Sequence, residues 1–325
     1  MALYPSSLPQ QSKAISKMSS AGFPVKSQDA KEKSWQRLVT FSGIAIIALT
    51  LAIGAFLVVK GSGTFLKLGH SVLEFLFSSD WSPSDSVTEY GGGVGAAVYI
   101  AGSLLTCGLA LLIALPFSLA AAIFMTEISP KAGRTLFQPA AEIFLGIPSV
   151  VYGWIGLTVL VPFIRDTFHA KMGGFSVLAA GIVLAVMVFP TITTISADAI
   201  RSVSKSAREA AYGLGCTRWQ VILHVVLPSA FSGIMTGVIL GLSRAFGEAL
   251  AVAMVIGKTR AFPSSILSPT SNLTSAIAAD MGNTANGGEH NLALWSMALL
   301  LYLISIFFII MVHRITDRRK EKDEG

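Results

Sequence analysis

Cysteine is almost missing. Cys107 and Cys216 are the two in 325 residues, too few and too far apart for a disulfide framework or a thiolate metal site. Charge is scarce as well: Asp, Glu, Lys and Arg make up 13%, against about 25% in a soluble domain. That excludes an ordinary water-facing surface wrapped around one core. No H-E-x-x-H occurs and the five histidines are scattered, so an intramembrane metalloenzyme has no support. Gly257-Lys258-Thr259 ends like a phosphate-binding loop, but the position that needs the earlier glycine holds Val252. The chain is therefore expected to carry no catalytic residue, no metal and no cofactor of its own. Aromatic and basic residues share no patch, so the net charge of +6 does not point to nucleic acid. The first residues lack an apolar stretch, which argues against a signal peptide. Residues 1–37, Ser- and Lys-rich with Pro5, Pro9 and Pro24, read as a mobile tail too polar to pack.

What the chain has is apolar length. It is 53% hydrophobic with a mean hydropathy of +0.66, and a bilayer core of about 30 Å demands about 20 apolar residues per helix. Six such runs occur, at about 38–59, 94–125, 136–164, 175–195, from Pro228 to Gly257, and 292–312. The expected fold is an all-α polytopic bundle of six transmembrane helices over 38–313, closed by a tail at 314–325. With the N-terminus inside, alternate segments hold seventeen Lys and Arg inside and six outside, and Arg244 alone falls within a span. The positive-inside bias then puts both termini in the cytosol. Residues 60–93, with Gly91-Gly92-Gly93, and 258–291 become two long external loops. They read either as docking surfaces for an external partner or as mobile connectors.

Between the fourth and fifth runs lies a polar segment, 199–221. Its Ala-rich start favours helix, with Ser204 or Ser206 as N-cap. Gly213 and Gly215 then break the helix, and a second short helix starts near Thr217. A helix–Gly–helix elbow of this kind can lie in a partner's cleft and pass push and pull into the next span. A plain amphipathic surface helix is the alternative.

The fifth run carries Gly233-x3-Gly237-x3-Gly241-x2-Arg244-x2-Gly247-Glu248. On one continuous helix, positions 233, 237, 241, 244 and 248 fall within an arc of about 80°. Small residues four apart let another helix backbone come close, and the same face then offers Arg244 and Glu248. An Arg at the bilayer centre costs about 2.5–3.5 kcal/mol, while an i, i+4 partner returns about 0.2–0.5 kcal/mol. Arg244 must therefore face a hydrated path or further partners. Its fork suits a tetrahedral oxyanion, with Glu248 moderating the grip. A structural pair bridging helices is the alternative. Glu142, near the start of the third run, reads as an interface group or a second carboxylate on the path.

Three stretches together carry a family resemblance. They are Gly146-Ile147-Pro148-Ser149-Val150-Val151-Tyr152-Gly153, the elbow, and Arg244-Ala245-Phe246-Gly247-Glu248 with the following Ala251-Val252-Ala253-Met254-Val255-Ile256-Gly257. The elbow matches an importer coupling motif through Glu209, Ala210, Ala211, Gly215, Leu227 and Pro228, with Val225 where Ile is common. Over about residues 90–315 the chain resembles PstC-type permeases of phosphate-specific ATP-binding-cassette (ABC) importers, whose fold is the type I importer permease fold. The resemblance implies that Glu209 caps or anchors the elbow and Gly215 permits its turn. It also implies a cytosolic ABC ATPase dimer that hydrolyses the ATP, a PstA-type sister permease and an external phosphate-binding protein. A permease for sulfate or molybdate would share this architecture, because an Arg fork accepts several oxyanions.

Overall fold

Prolines decide where these helices break and where they run on. In the computed structural model, which describes residues 25–84, 91–170 and 172–323 (side chains within 35–84, 91–170 and 172–315), the elements are helical throughout. They are α1 (Val25–Gly61), α2 (Val72–Phe77), α3 (Ala97–Ile123), α4 (Gln138–Gly146), α5 (Ser149–Ile155), α6 (Val161–Phe168) and α7 (Val177–Arg201). Then follow α8 (Lys205–Gly213), α9 (Arg218–Val221), α10 (Leu227–Gly247), α11 (Leu250–Val255), α12 (Leu273–Asp280) and α13 (Glu289–Asp323). Pro139, Pro162 and Pro228 each lie near the start of a helix that follows a five-residue π turn: Gly133–Phe137, Gly156–Leu160 and Ile222–Val226. A proline withholds the N–H that the carbonyl four residues back requires. The widened i→i+5 turn absorbs the gap and the helix continues.

Six helical stretches are long and apolar enough to cross a membrane: Trp35–Leu66, Ala97–Ile128, Ser149–Phe168, Met172–Arg201, Arg218–Gly247 and Glu289–Ile315. Two differ from expectation. The third begins at Ser149, because Ile147 stands before Pro148 in extended conformation (φ −70°, ψ 128°), as the proline ring requires of its predecessor. Gln138–Gly146 thus form the separate short helix α4. The fifth starts at Arg218 rather than after Pro228 and stops at Gly247 rather than Gly257. The expected tail also changes: residues 25–37 are helical and continuous with the first span, while 1–24 lie outside the described residues. At the other end α13 runs on through 314–323.

Residues up to Phe56 form one unit and those from Leu57 a second. In the first, α1 shows apolar side chains on every side, Phe41, Ile46, Ile47 and Leu51 among them, as a lipid-facing helix does. The second unit is built around α7, whose Leu184, Ile192, Ala197 and Ile200 are fully buried. The glycine stripe faces α7. A Cβ on Gly233 would lie 2.5 Å from Ala199 Cβ, on Gly237 3.1 Å from Ile195 Cβ, and on Gly241 2.6 Å from Ile192 Cγ1. Pro116 and Pro190 sit inside α3 and α7, and the Ser118 hydroxyl ties the two helices by donating to the Phe189 carbonyl at 3.2 Å.

The segments expected as loops at 60–93 and 258–291 are ordered, in their described residues, into a cap over the start of α3. Phe75, Trp81, Val94, Tyr99, Leu273, Leu294 and Met297 form its buried core, with Trp81 edge-on to Tyr99 at 5.2 Å. The fully buried Glu289 carboxylate accepts from the backbone N–H of Ser84 (2.8 Å), Gly91 (2.9 Å) and Gly92 (3.1 Å), and meets His70 Nε2 at 2.9 Å. Glycine is required at 92 and 93, where a Cβ would lie 2.2 Å from the Ser82 carbonyl oxygen and 2.4 Å from Asp80 Cγ.

Two expected outcomes follow from this packing. Glu289→Ala removes the shared acceptor of three backbone N–H groups and the partner of His70, and should lower the melting temperature and speed proteolysis of the cap. Gly241→Leu should abolish recovery of folded protein in mild detergent, whereas Gly247→Ala, with nothing within 4 Å of its Cβ, should be recovered normally.

Candidate functional site

Arg244 lies in the last turn of α10, where the partial negative charge of the helix C-terminus favours a cation. It is half-buried, and its Nη1 donates to Thr191 Oγ1 on α7 at 3.0 Å. That is its one hydrogen bond among the described residues, out of five N–H donors in a planar fork. The expected Arg244–Glu248 pair is not formed. The backbone leaves the helical region at Glu248 (φ −77°, ψ 122°), so the two residues do not share a helix face. Glu248 Oε1 instead accepts from Ala251 N at 3.0 Å, capping α11, and its carbonyl accepts from the Thr274 hydroxyl at 2.7 Å. Because the chain breaks there, counting helical rise to Gly257 does not give the depth of Arg244. The guanidinium is left without a carboxylate partner among the described residues.

Glu142, on α4, is exposed and accepts from Gln138 Nε2 at 3.3 Å. It borders a cavity of about 200 Å³ with Thr194, Asp198 and Arg201 of α7, the last two paired at 3.1 Å. No hydrogen bond or ion pair joins Glu142 to Arg244 or Glu248 among the described residues. What links the two places is α7 itself. Thr191, Thr194, Asp198 and Arg201 recur at spacings of three, four and three, within about 80° of its circumference. This polar edge runs from the Arg244 contact to the Glu142 cavity. Its sequence signal was present in the polar residues of the fourth run but is hidden until the open side of α7 is known.

The elbow forms as the residues suggested. Ser204 caps α8 by accepting from Ala207 N. Gly215 takes the left-handed conformation, φ +82°, which a Cβ disfavours. Thr217 opens α9 in a reciprocal capping box with Gln220. Ala211 is buried in a cluster with Ala197, Ile200, Val221 and Val226, while Ala210 points outward. Glu209 differs from expectation: it is exposed and neither caps nor anchors anything among the described residues. The anchors are arginines. Arg208 Nη2 donates to the Ile200 carbonyl at 2.6 Å and pairs with Glu127 at 3.0 Å. Arg218 Nη2 donates to the Ile128 carbonyl at 3.1 Å. Both tie the elbow to the turn that ends the second span, opposite the cap. Read from sequence, these arginines counted only as charges, since Glu127 is about eighty residues away. The elbow tip is bare: Leu214 is 85% exposed, with Tyr212 and Trp219 also exposed beside it.

The chain matches the family described as "Binding-protein-dependent transport system inner membrane component" over residues 114–322. It is 50% identical over 283 residues to a probable ABC transporter permease protein, YqgH, of Bacillus subtilis (strain 168), covering 87% of this chain and 90% of that one. It is 35% identical over 312 residues to the phosphate transport system permease protein PstC of Pasteurella multocida (strain Pm70), covering 90% and 94%. Among solved structures, a bacterial alginate ABC transporter in complex with an alginate-bound periplasmic protein shares the fold. That likeness has a TM-score of 0.59 at 14% identity and covers 90% of this chain and 96% of that one. A six-span bundle, an arginine-anchored elbow between the fourth and fifth spans, and these relatives agree: the chain is a multi-pass inner-membrane component of the binding-protein-dependent transport family, and within it a PstC-type permease.

Proposed function

We propose that this chain forms half of the translocation path of an ATP-driven inorganic phosphate importer. The observation that carries this reading is Arg244: a guanidinium on a membrane-spanning helix, engaged by one neutral hydroxyl and by no carboxylate among the described residues. A cation so placed is costly in a membrane unless an anion visits it. Its planar fork offers two parallel donors to a phosphate oxygen pair, and Thr191 can turn its hydroxyl to the same ligand. Glu248 stands four residues on, at the helix break, where a small backbone movement would bring a repelling charge towards a bound anion. Glu142 and the polar edge of α7 line the continuation of the path. The PstC proteins that this chain resembles support phosphate as the substrate, with sulfate or molybdate as the competing choice.

The positive-inside count supports elbow and termini in the cytosol and the cap outside. An external phosphate-binding protein docks on the cap, and a PstA-type sister subunit completes the path within the lipid. The exposed Leu214 tip and Glu209 enter a groove on a partner ATPase dimer, which alone binds and hydrolyses ATP, so this chain needs no cofactor. Helix α9 passes into α10 through the π turn without a break. A push at Arg218 is thus carried by a continuous rod over the 26 residues to Arg244, about 39 Å at 1.5 Å per residue.

In vesicles holding the assembled transporter, Arg244→Gln should cut phosphate uptake at least roughly tenfold, the scale of one lost charged hydrogen bond. Uptake that proceeds unchanged would refute the reading, and stronger inhibition by sulfate than by arsenate would move it to another oxyanion. Gly215→Val, forced into a left-handed conformation at about 1–2 kcal/mol, should leave the protein folded but uncouple ATP hydrolysis from uptake. An impermeant maleimide should label Cys216 in inside-out vesicles and not in right-side-out ones, while the buried Cys107 stays silent in both.

A further inference from the structure

The cap holds two further cations, Lys258 and Arg260, on the segment that follows α11. A pocket of about 70 Å³ is bordered by Tyr99, Lys258, Arg260, Ser271, Ser275 and Asp280. That is several times the roughly 10–15 Å³ one water needs, and far below the roughly 300 Å³ where sites for drug-sized ligands begin. A small ion fits the size. The charge sign fits an anion, with two cations against one carboxylate. Asp280 Oδ2 lies 3.4 Å from Arg260 Nη2 and 3.9 Å from His290 Nε2, so it holds one corner of the guanidinium, whose other donors have no hydrogen-bond partner among the described residues. Lys258 forms no ion pair among the described residues.

Two independent features indicate that this pocket is built for an occupant. Tyr99 is 1% exposed, yet its hydroxyl has no hydrogen-bond partner among the described residues. A buried hydroxyl left unmet is costly, and a small shift of the pocket wall that Tyr99 helps to form would open it to a ligand oxygen. The backbone at Lys258 is also left-handed, φ +50°, uncommon for a residue other than glycine, asparagine or aspartate. It follows Gly257 at φ +94°, and the turn is held by hydrogen bonds exchanged with Thr270, Thr259 N to its carbonyl and its own N to the Ile256 carbonyl, both 3.2 Å. Strain retained by a rigid frame is a mark of function. Here it keeps an ammonium at the rim.

We propose that this pocket is a binding site for a small tetrahedral oxyanion, held by Tyr99, Lys258 and Arg260 with the serine hydroxyls, on the cap side of the path and separate from Arg244. Resting on the transport reading above, it is a station at which the anion, once released outside, pauses before it reaches Arg244. Asp280 keeps the grip weak enough for release.

The test uses the full chain in lipid nanodiscs with labelled inorganic phosphate, in an Arg244→Gln background that disables the deeper site. One phosphate per chain should still bind and should be displaced by arsenate. Lys258→Asn with Arg260→Gln should weaken binding about tenfold or more, and Tyr99→Phe, which keeps the ring against Trp81, about threefold. Lys258→Asn alone should leave the melting temperature unchanged or higher, because asparagine tolerates the left-handed backbone, while still weakening binding. No binding in the Arg244→Gln chain, or unchanged binding in the Tyr99 and Lys258/Arg260 variants, overturns the site. Uptake by the assembled transporter separates the two readings. Cap binding without any phosphate uptake by the unsubstituted complex refutes transport and leaves the site standing. Normal uptake with unaltered binding in the cap variants refutes the site alone.

Discussion

The close approach of α10 to α7 is the contact on which the rest depends. Gly233, Gly237 and Gly241 have no side chain to hold α7 away, and Ala199, Ile195 and Ile192 fill the space they leave. Within a bilayer no hydrophobic force draws two apolar helices together, so small residues and van der Waals fit must do it. The same approach sets Arg244, one turn beyond Gly241, at 3.0 Å from Thr191. The position of the charge is thus a consequence of packing rather than of a salt bridge on its own helix. It leaves most of the guanidinium's donors without a hydrogen-bond partner among the described residues.

Continuity matters as much as contact. A rod that carried a signal from the elbow to Arg244 would fail at Pro228 if the proline ended the helix. The π turn at Ile222–Val226 prevents that, and similar turns precede Pro139 and Pro162. Helices α3 and α7 run on through Pro116 and Pro190 without such a turn, whereas at Ile147-Pro148 the backbone turns extended and the chain breaks, so that the third span is cut into a short helix and a membrane-crossing one. Arg208 and Arg218 fix the base of the elbow to the end of the second span. The elbow and two spans therefore meet at one anchored junction, with the Leu214 tip left bare.

The cap follows a different logic. Its backbone folds around a buried carboxylate, Glu289, which gathers N–H groups from a glycine-rich stretch about two hundred residues earlier in the chain. This turns what would be loose connectors into an ordered surface, while bonds to Thr270 hold the left-handed turn at Lys258 beside a small polar pocket. One end is ordered by buried polar contacts and the other ends in a bare apolar tip.

Composition and apolar run length determined the six spans, because a bilayer imposes a length that no soluble core imposes. Local chemistry determined the elbow: Ser204, Gly215 and Thr217 act on neighbours within a few residues, so their capping and turning roles are readable in order along the chain. The glycine stripe was readable for the same reason, as a periodicity. The sequence could not show that Glu248 leaves the helix to cap α11, that Glu209 is exposed while Arg208 and Arg218 anchor the elbow, or that Glu289 organises the cap. Each depends on partners far apart in the chain or on a backbone break, and hydrogen-bond geometry between such groups exists only once the helices have packed.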